Sequence, residues 1–90
     1  MARSNWYSSF GPYNKLLENE FANQFKVKYC SLLSNGTAAL ITALHALNLK
    51  RGDKVMLPSF TIVSCLNAIL FMNLKPVIVD VDINTWCLND

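Results

Sequence analysis

The sequence is poor in the residues that bind metals and form crosslinks. It contains one histidine and three cysteines among 90 residues. Cys30, Cys65 and Cys87 are an odd number and lack CxxC spacing, so neither a disulfide framework nor a metal site is predicted. We expect reduced thiols that pack as small hydrophobic side chains, and therefore a cytoplasmic protein.

Charge is scarce as well. Only 16% of the residues are charged and the formal net charge is +2, which is too small and too scattered to predict nucleic acid as a partner. No uninterrupted apolar run is long enough to span a bilayer, and no signal-peptide h-region is visible, so no membrane partner is expected. The GxGxxG and GxxxxGK[ST] nucleotide-binding motifs are also absent.

Apolar residues, in contrast, are abundant. Hydrophobic residues make up 52% of the chain, which is high for a unit of this size because small domains have much surface to cover. This composition indicates either a subunit with an extensive interface or a segment of a larger fold. Residues 1–12 are polar and aromatic and end in Gly11-Pro12, so we expect an N-terminal arm there, followed by one domain or part of one over residues 13–90.

Apolar periodicity predicts a helix followed by a β-α-β-α-β order. Crossovers of this length favour parallel strands with right-handed connections, and therefore a three-layer α/β arrangement. The apolar third strand is expected to be buried on both faces, and Ser59 or Thr61 to cap the third helix. The predicted helices are Tyr13–Phe25, Thr37–Leu49 and Ile62–Met72, and the predicted strands lie near Tyr29–Leu33, Lys54–Leu57 and Val77–Val81.

The segment Ser34-Asn35-Gly36-Thr37 joins the first predicted strand to the second predicted helix. Free backbone N–H groups and the positive end of the helix dipole favour an anion at such a position, most often a phosphate. Gly36 has no side chain to block its approach, and the Thr37 hydroxyl could add a hydrogen bond. The same residues are also good turn and cap residues without any ligand, so both interpretations stay open.

A series of short motifs, in order and at matching separations, runs through most of the chain. Together these motifs resemble the DegT/DnrJ/EryC1/StrS family of sugar aminotransferases, and the run from Thr85 to Leu88 is most similar to its perosamine-forming branch. The motifs are Gly11-Pro12, Leu17-Glu18, Phe21-Ala22, Ser34–Leu40, Gly52-Asp53, Pro58–Thr61, Asn67-Ala68 and Pro76–Asp82.

The resemblance implies the N-terminal part of an aspartate aminotransferase-like large domain, the fold of type I pyridoxal 5′-phosphate (PLP) enzymes. It implies amino transfer, usually from glutamate, to a nucleotide-linked keto sugar by a homodimer. It assigns the backbone amides of Gly36 and Thr37 to the cofactor phosphate. Ile62 stands where many members carry an aromatic residue that stacks on the cofactor ring; it offers apolar surface without aromatic stacking.

The resemblance also identifies what this sequence lacks. The family uses a lysine that forms a Schiff base with PLP, and no lysine of this chain occupies a matching position. We therefore assign no catalytic residue and expect the 90-residue chain alone to be inactive. Asp80 and Asp82 do not match the aspartate that binds the pyridine nitrogen in the family, and we interpret them as solvated turn carboxylates in preference to a substrate or ribose contact. Two alternatives stay open: a truncated or split non-catalytic gene product, and a small independent α/β nucleotide-binding module.

Overall fold

A computed structural model describes residues 11–88 of the chain. These residues form three helices and two strands, and the chain divides into two compact units, Met1–Leu32 and Leu33–Asp90. Residues 1–10 of the predicted arm lie outside the described residues. The elements are α1 (Pro12–Gln24), α2 (Gly36–Ala46), β1 (Lys54–Pro58), α3 (Val63–Phe71) and β2 (Lys75–Val79). None of these helices is long and apolar enough to cross a membrane.

The first unit contains α1, which begins at a proline. Pro12 suits the first helical position because its fixed φ is helical and its missing N–H would have no partner there. The helix ends where Lys26 adopts a φ of 54° and the Val27 N–H donates to the Ala22 carbonyl oxygen at 3.0 Å, a left-handed helix end. No residue of α1 is buried.

The strand predicted near Tyr29–Leu33 is wrong. These residues have no regular secondary structure, and the side chain of Tyr29 is 79% exposed. A strand exists only where a neighbour satisfies its backbone groups. An apolar run predicts burial, but it does not supply that neighbour.

The two strands of the second unit pair in parallel, as predicted. Leu57 is in register with Ile78, and α3 forms the crossover between the strands. The ladder continues past β1, where the Ser59 N–H donates to the Val79 carbonyl oxygen at 2.8 Å. β2 begins at Lys75, earlier than predicted, because Lys75 pairs with Lys54 at the start of β1.

The core lies between α3 and the sheet. Among residues 11–88, the buried hydrophobic side chains are Leu57, Ala68, Ile69 and Leu74. Leu57, Ile69 and Leu74 form one cluster, against which Leu44 of α2 also packs. Burial of the third predicted strand on both faces is not found among the described residues, since Ile78 is 64% exposed.

The ends of α2 and α3 differ in detail from the predictions. α2 ends at Ala46 rather than Leu49, because Asn48 adopts a φ of 55° and donates its N–H to the His45 carbonyl oxygen. Neither Ser59 nor Thr61 caps α3. The cap is Ile62, whose side chain makes no capping hydrogen bond, since the backbone turns into the helix later than the polar residues suggest.

Candidate functional site

The first four backbone N–H groups of α2 form two pairs that differ in their hydrogen bonding. The Asn35 side-chain oxygen accepts from the Ala38 N–H at 2.8 Å, and the Asn35 carbonyl oxygen accepts from the Ala39 N–H at 3.1 Å. Within residues 11–88, the N–H groups of Gly36 and Thr37 have no acceptor. The cap therefore satisfies the third and fourth donors and leaves the first two for an external acceptor.

The fold of this chain does not itself require glycine at position 36. The φ angle of Gly36 lies outside the left-handed region, and a Cβ added there would meet no atom within 4 Å. Neither backbone strain nor packing therefore explains the residue. What glycine does provide is free space beside two unpaired N–H donors, which suits close approach by an anion.

Gly36, Thr37 and Ile62, the three residues assigned to the cofactor from the sequence, line one open pocket. The pocket has a volume of about 500 Å³, and the N-terminal ends of α2 and α3 both contribute to it. Its walls are mainly apolar, and Ile62 is 69% exposed. The pocket therefore joins an anion-binding end to an apolar surface. Its lining residues are Gly36, Thr37, Ala39, Leu40, Ile62 and Ser64.

The Asp82 carboxylate closes its own turn. Its Oδ1 atom accepts from the N–H of Thr85 at 2.9 Å and from that of Asn84 at 2.8 Å. These two hydrogen bonds lower the pKa of Asp82 below its usual value, and the bond from Thr85 has the larger effect. Asp80 accepts from the neighbouring Val81 N–H. Both carboxylates thus make local hydrogen bonds, and that of Asp82 closes a turn, in agreement with the interpretation from the sequence.

One contact near the pocket was missed by the sequence reasoning. Phe60 and Trp86 pack edge to face, with ring centroids 4.8 Å apart and an interplanar angle of 63°. Phe60 follows β1 and Trp86 follows β2. A signal was available, because the segments that follow two neighbouring parallel strands meet at the same edge of a sheet, and each of these segments carries an aromatic residue.

Comparison with known proteins gives consistent matches. A family model described as the DegT/DnrJ/EryC1/StrS aminotransferase family matches residues 1–90. The chain is 45% identical over 83 residues to the GDP-perosamine synthase of Escherichia coli O157:H7, covering 92% of this chain and 23% of that protein. It is 42% identical over 79 residues to the GDP-perosamine synthase of Vibrio cholerae, covering 88% and 22% respectively.

A solved structure gives the same result for the fold. The GDP-4-keto-6-deoxy-D-mannose-3-dehydratase of E. coli, with bound hydrated PLP, superposes with a TM-score of 0.80 at 30% identity, covering 89% of this chain and 22% of that one. The predicted α/β fold class, that of the PLP-dependent sugar aminotransferases, is thus confirmed. The chain spans about a fifth of the length of these relatives.

Proposed function

Because the chain belongs to the DegT/DnrJ/EryC1/StrS aminotransferase family, we propose that it supplies the phosphate-binding part of a PLP-dependent nucleotide-sugar aminotransferase. The observation that carries the proposal is the pair of unpaired N–H groups at Gly36 and Thr37, on the same pocket as Ile62. The remaining parts of the active site are supplied by polypeptide that corresponds to the rest of the relatives' length.

The residues of the pocket fit the chemistry of the cofactor. The Gly36 and Thr37 N–H groups donate to phosphate oxygens, and the helix dipole favours their negative charge. The Thr37 hydroxyl is a further donor, while Ile62 provides apolar surface for the pyridine ring. PLP itself, when bound, supplies an electron sink that stabilises negative charge at the reacting carbon. This chain's contribution is to bind and orient the cofactor at its phosphate end.

The proposed reaction transfers an amino group, from glutamate, to a nucleotide-linked keto sugar of the perosamine type, in polysaccharide biosynthesis. Amino transfer is proposed rather than dehydration because the chain is 45% and 42% identical to the two synthases, against 30% for the dehydratase. We propose a cytoplasmic homodimer, in line with the reduced cysteines and the exposed apolar surface.

The test is a chimera in which this chain replaces the matching segment of the E. coli O157:H7 synthase, called the chimera below. PLP binding is titrated by absorbance in the parent chimera and in Gly36→Trp and Thr37→Val. Gly36→Trp should block the approach of the phosphate to the backbone. Loss of even one charge-assisted hydrogen bond costs about 1.5–3 kcal/mol, which is about tenfold or more in affinity.

Thr37→Val is the matched control, because it keeps the backbone N–H and loses only the hydroxyl. Its effect should be smaller than that of Gly36→Trp. Circular dichroism and gel filtration verify that each variant folds. Equal PLP affinity in Gly36→Trp and the parent chimera would remove the phosphate-binding role.

The 90-residue chain alone is proposed to be inactive. Treatment with PLP and borohydride should give no stoichiometric, site-specific adduct, because none of its lysines matches the residue that binds PLP covalently in the family. A single modified lysine would show that one of them has been misjudged. The split-gene alternative predicts that activity returns when the chain is mixed with a separately expressed remainder of the synthase. The independent-module alternative predicts nucleotide binding by the chain alone.

A further inference from the structure

The segment that brings Ile62 to the pocket is fixed at both ends but not in its middle. At one end the Ser59 N–H donates to the Val79 carbonyl oxygen at 2.8 Å, and at the other the Cys65 N–H donates to the Ile62 carbonyl oxygen at 3.2 Å. Within residues 11–88, no backbone hydrogen bond holds Phe60 or Thr61. The middle is restrained by side chains instead: the Thr61 hydroxyl lies 3.5 Å from the Cys65 sulfur, and the Phe60 ring packs against Trp86.

The partner of that ring sits on a strongly bonded turn. The Asp82 carboxylate accepts two N–H groups, the Asp82 N–H donates to the Cys87 carbonyl oxygen at 2.9 Å, and the Trp86 N–H donates to the Asp82 carbonyl oxygen at 2.8 Å. An isolated antiparallel bridge joins Val81 to Leu88. These bonds hold Trp86 at a φ of 60°, which is unusual for a bulky side chain.

We propose that Trp86 is a positioning residue for the cofactor pocket, acting through its edge-to-face contact with Phe60 to fix the segment that ends at Ile62. The inference rests on the proposed function, since the pocket matters only if PLP occupies it. The turn holds Trp86, Trp86 holds Phe60, and Phe60 stands two residues before the Ile62 side chain that lines the pocket. No direct contact between Trp86 and the cofactor is required.

The experiment measures PLP affinity and the Ile62 δ1-methyl resonance in the chimera, with that resonance assigned by its loss in Ile62→Val. Trp86→Ala should weaken PLP binding by about two- to tenfold, the loss expected for one aromatic pair, and should shift the Ile62 methyl resonance. Trp86→Phe should restore both, because it keeps an aromatic ring. Trp86→Leu keeps apolar bulk without the ring and should restore neither.

Ile83→Ala is the matched control. Ile83 is an apolar residue of the same turn, is 84% exposed, and makes no aromatic contact, so its loss should change neither readout. Unchanged PLP affinity in Trp86→Ala, or equal rescue by Trp86→Leu and Trp86→Phe, would overturn the inference. If Trp86→Ala fails to fold, the comparison of Trp86→Leu with Trp86→Phe decides the question alone.

The Gly36→Trp chimera, measured in parallel, separates two kinds of failure. If Gly36→Trp weakens PLP binding and Trp86→Ala does not, the phosphate site stands and the positioning role of Trp86 is wrong. If Gly36→Trp has no effect, the proposed function fails first, and the inference about Trp86 fails with it.

Discussion

The two units of the chain differ in how they hold their apolar side chains. In residues 33–88, helix α3 and the sheet bury a small core around Leu57, Ile69 and Leu74. In residues 11–32, no side chain of α1 is buried. Large apolar residues of this helix and of its C-cap remain exposed within the chain: Leu16, Leu17, Phe21 and Phe25.

The difference teaches which unit carries the site. A helix of 13 residues is marginal on its own in water, because most helix stability in proteins comes from packing an apolar face. The second unit has such packing, and its pocket is lined by residues of α2 and α3 together with Ile62. The buried core and the candidate site thus lie in the same unit, on different residues, whereas α1 of the first unit buries none of its side chains.

The largest expected effect is on the core of the second unit. Leu57→Ala should destabilise the strand pair by about 2–5 kcal/mol, because it removes buried methyl groups and leaves a cavity. Hydrogen exchange of the Ser59 amide, which donates to the Val79 carbonyl oxygen, measures this loss. Phe71→Ala is the control in the same unit, since Phe71 is 70% exposed. Equal effects of the two changes would show that the core has been misidentified.

A smaller effect is expected at the N-terminus of α2. Asn35→Ala should weaken the first turn of the helix by about 1 kcal/mol, because the Ala38 N–H loses its side-chain acceptor. Exchange of the Ala38 amide reports the change. Ser34→Ala is the control, since in the described part of the chain the Ser34 hydroxyl accepts from the Asn35 side chain, at 3.3 Å, and not from a backbone N–H of the helix. A faster-exchanging Ala38 amide in Ser34→Ala than in Asn35→Ala would contradict the assignment of Asn35 as the cap.

The effect in the first unit should be smaller again. Phe21 and Phe25 stack with ring centroids 5.9 Å apart, one turn apart on an exposed helix face. Phe21→Ala should reduce helix stability by about 0.2–0.5 kcal/mol, the usual size of such a pair, as measured in the 90-residue chain by hydrogen exchange of the Val27 amide, which donates to the Ala22 carbonyl oxygen. A loss as large as that from Leu57→Ala would mean that α1 is buried, and would remove the contrast between the units.

Local pattern was enough to predict most of the elements. Helices α1 and α3 begin and end within one residue of their predicted bounds, because an N-terminal proline and regular apolar spacing specify them. Parallel pairing followed from the crossover length. The pocket residues Gly36, Thr37 and Ile62 were named together from the family resemblance, and they lie on one pocket. Their binding role stays a prediction.

What could not be predicted depends on contacts between distant residues. The Leu32 N–H donates to a Glu18 carboxylate oxygen at 3.1 Å, across 14 residues, and no local pattern indicates this pair. The run Tyr29–Leu33 was predicted as a strand because its residues are apolar. The sequence pattern does not show whether a neighbouring strand is present to pair with it. The contact between Phe60 and Trp86 differs from these two, because the predicted parallel pairing already brings the segments that follow the strands to one edge of the sheet.

The smallest expected effect is the response of the Asp82 turn to acid. The hydrogen bonds from Thr85 and Asn84 lower the pKa of Asp82 in the folded chain, whereas an unfolded aspartate titrates at about 3.9. Stabilisation by these bonds is therefore fully present above about pH 3.9, and it is lost as the pH falls below that value through the folded pKa. Because the turn is local and its carboxylate is accessible to solvent, the free energy of global unfolding should change little.

The amide resonances of Asn84 and Thr85 measure the effect, and they should shift with a midpoint below about pH 3.9. Asp82→Asn, which cannot ionise, should abolish the titration. A midpoint above that value would show that the two hydrogen bonds do not stabilise the carboxylate, and that the position of Trp86 depends on the backbone hydrogen bonds of the turn alone.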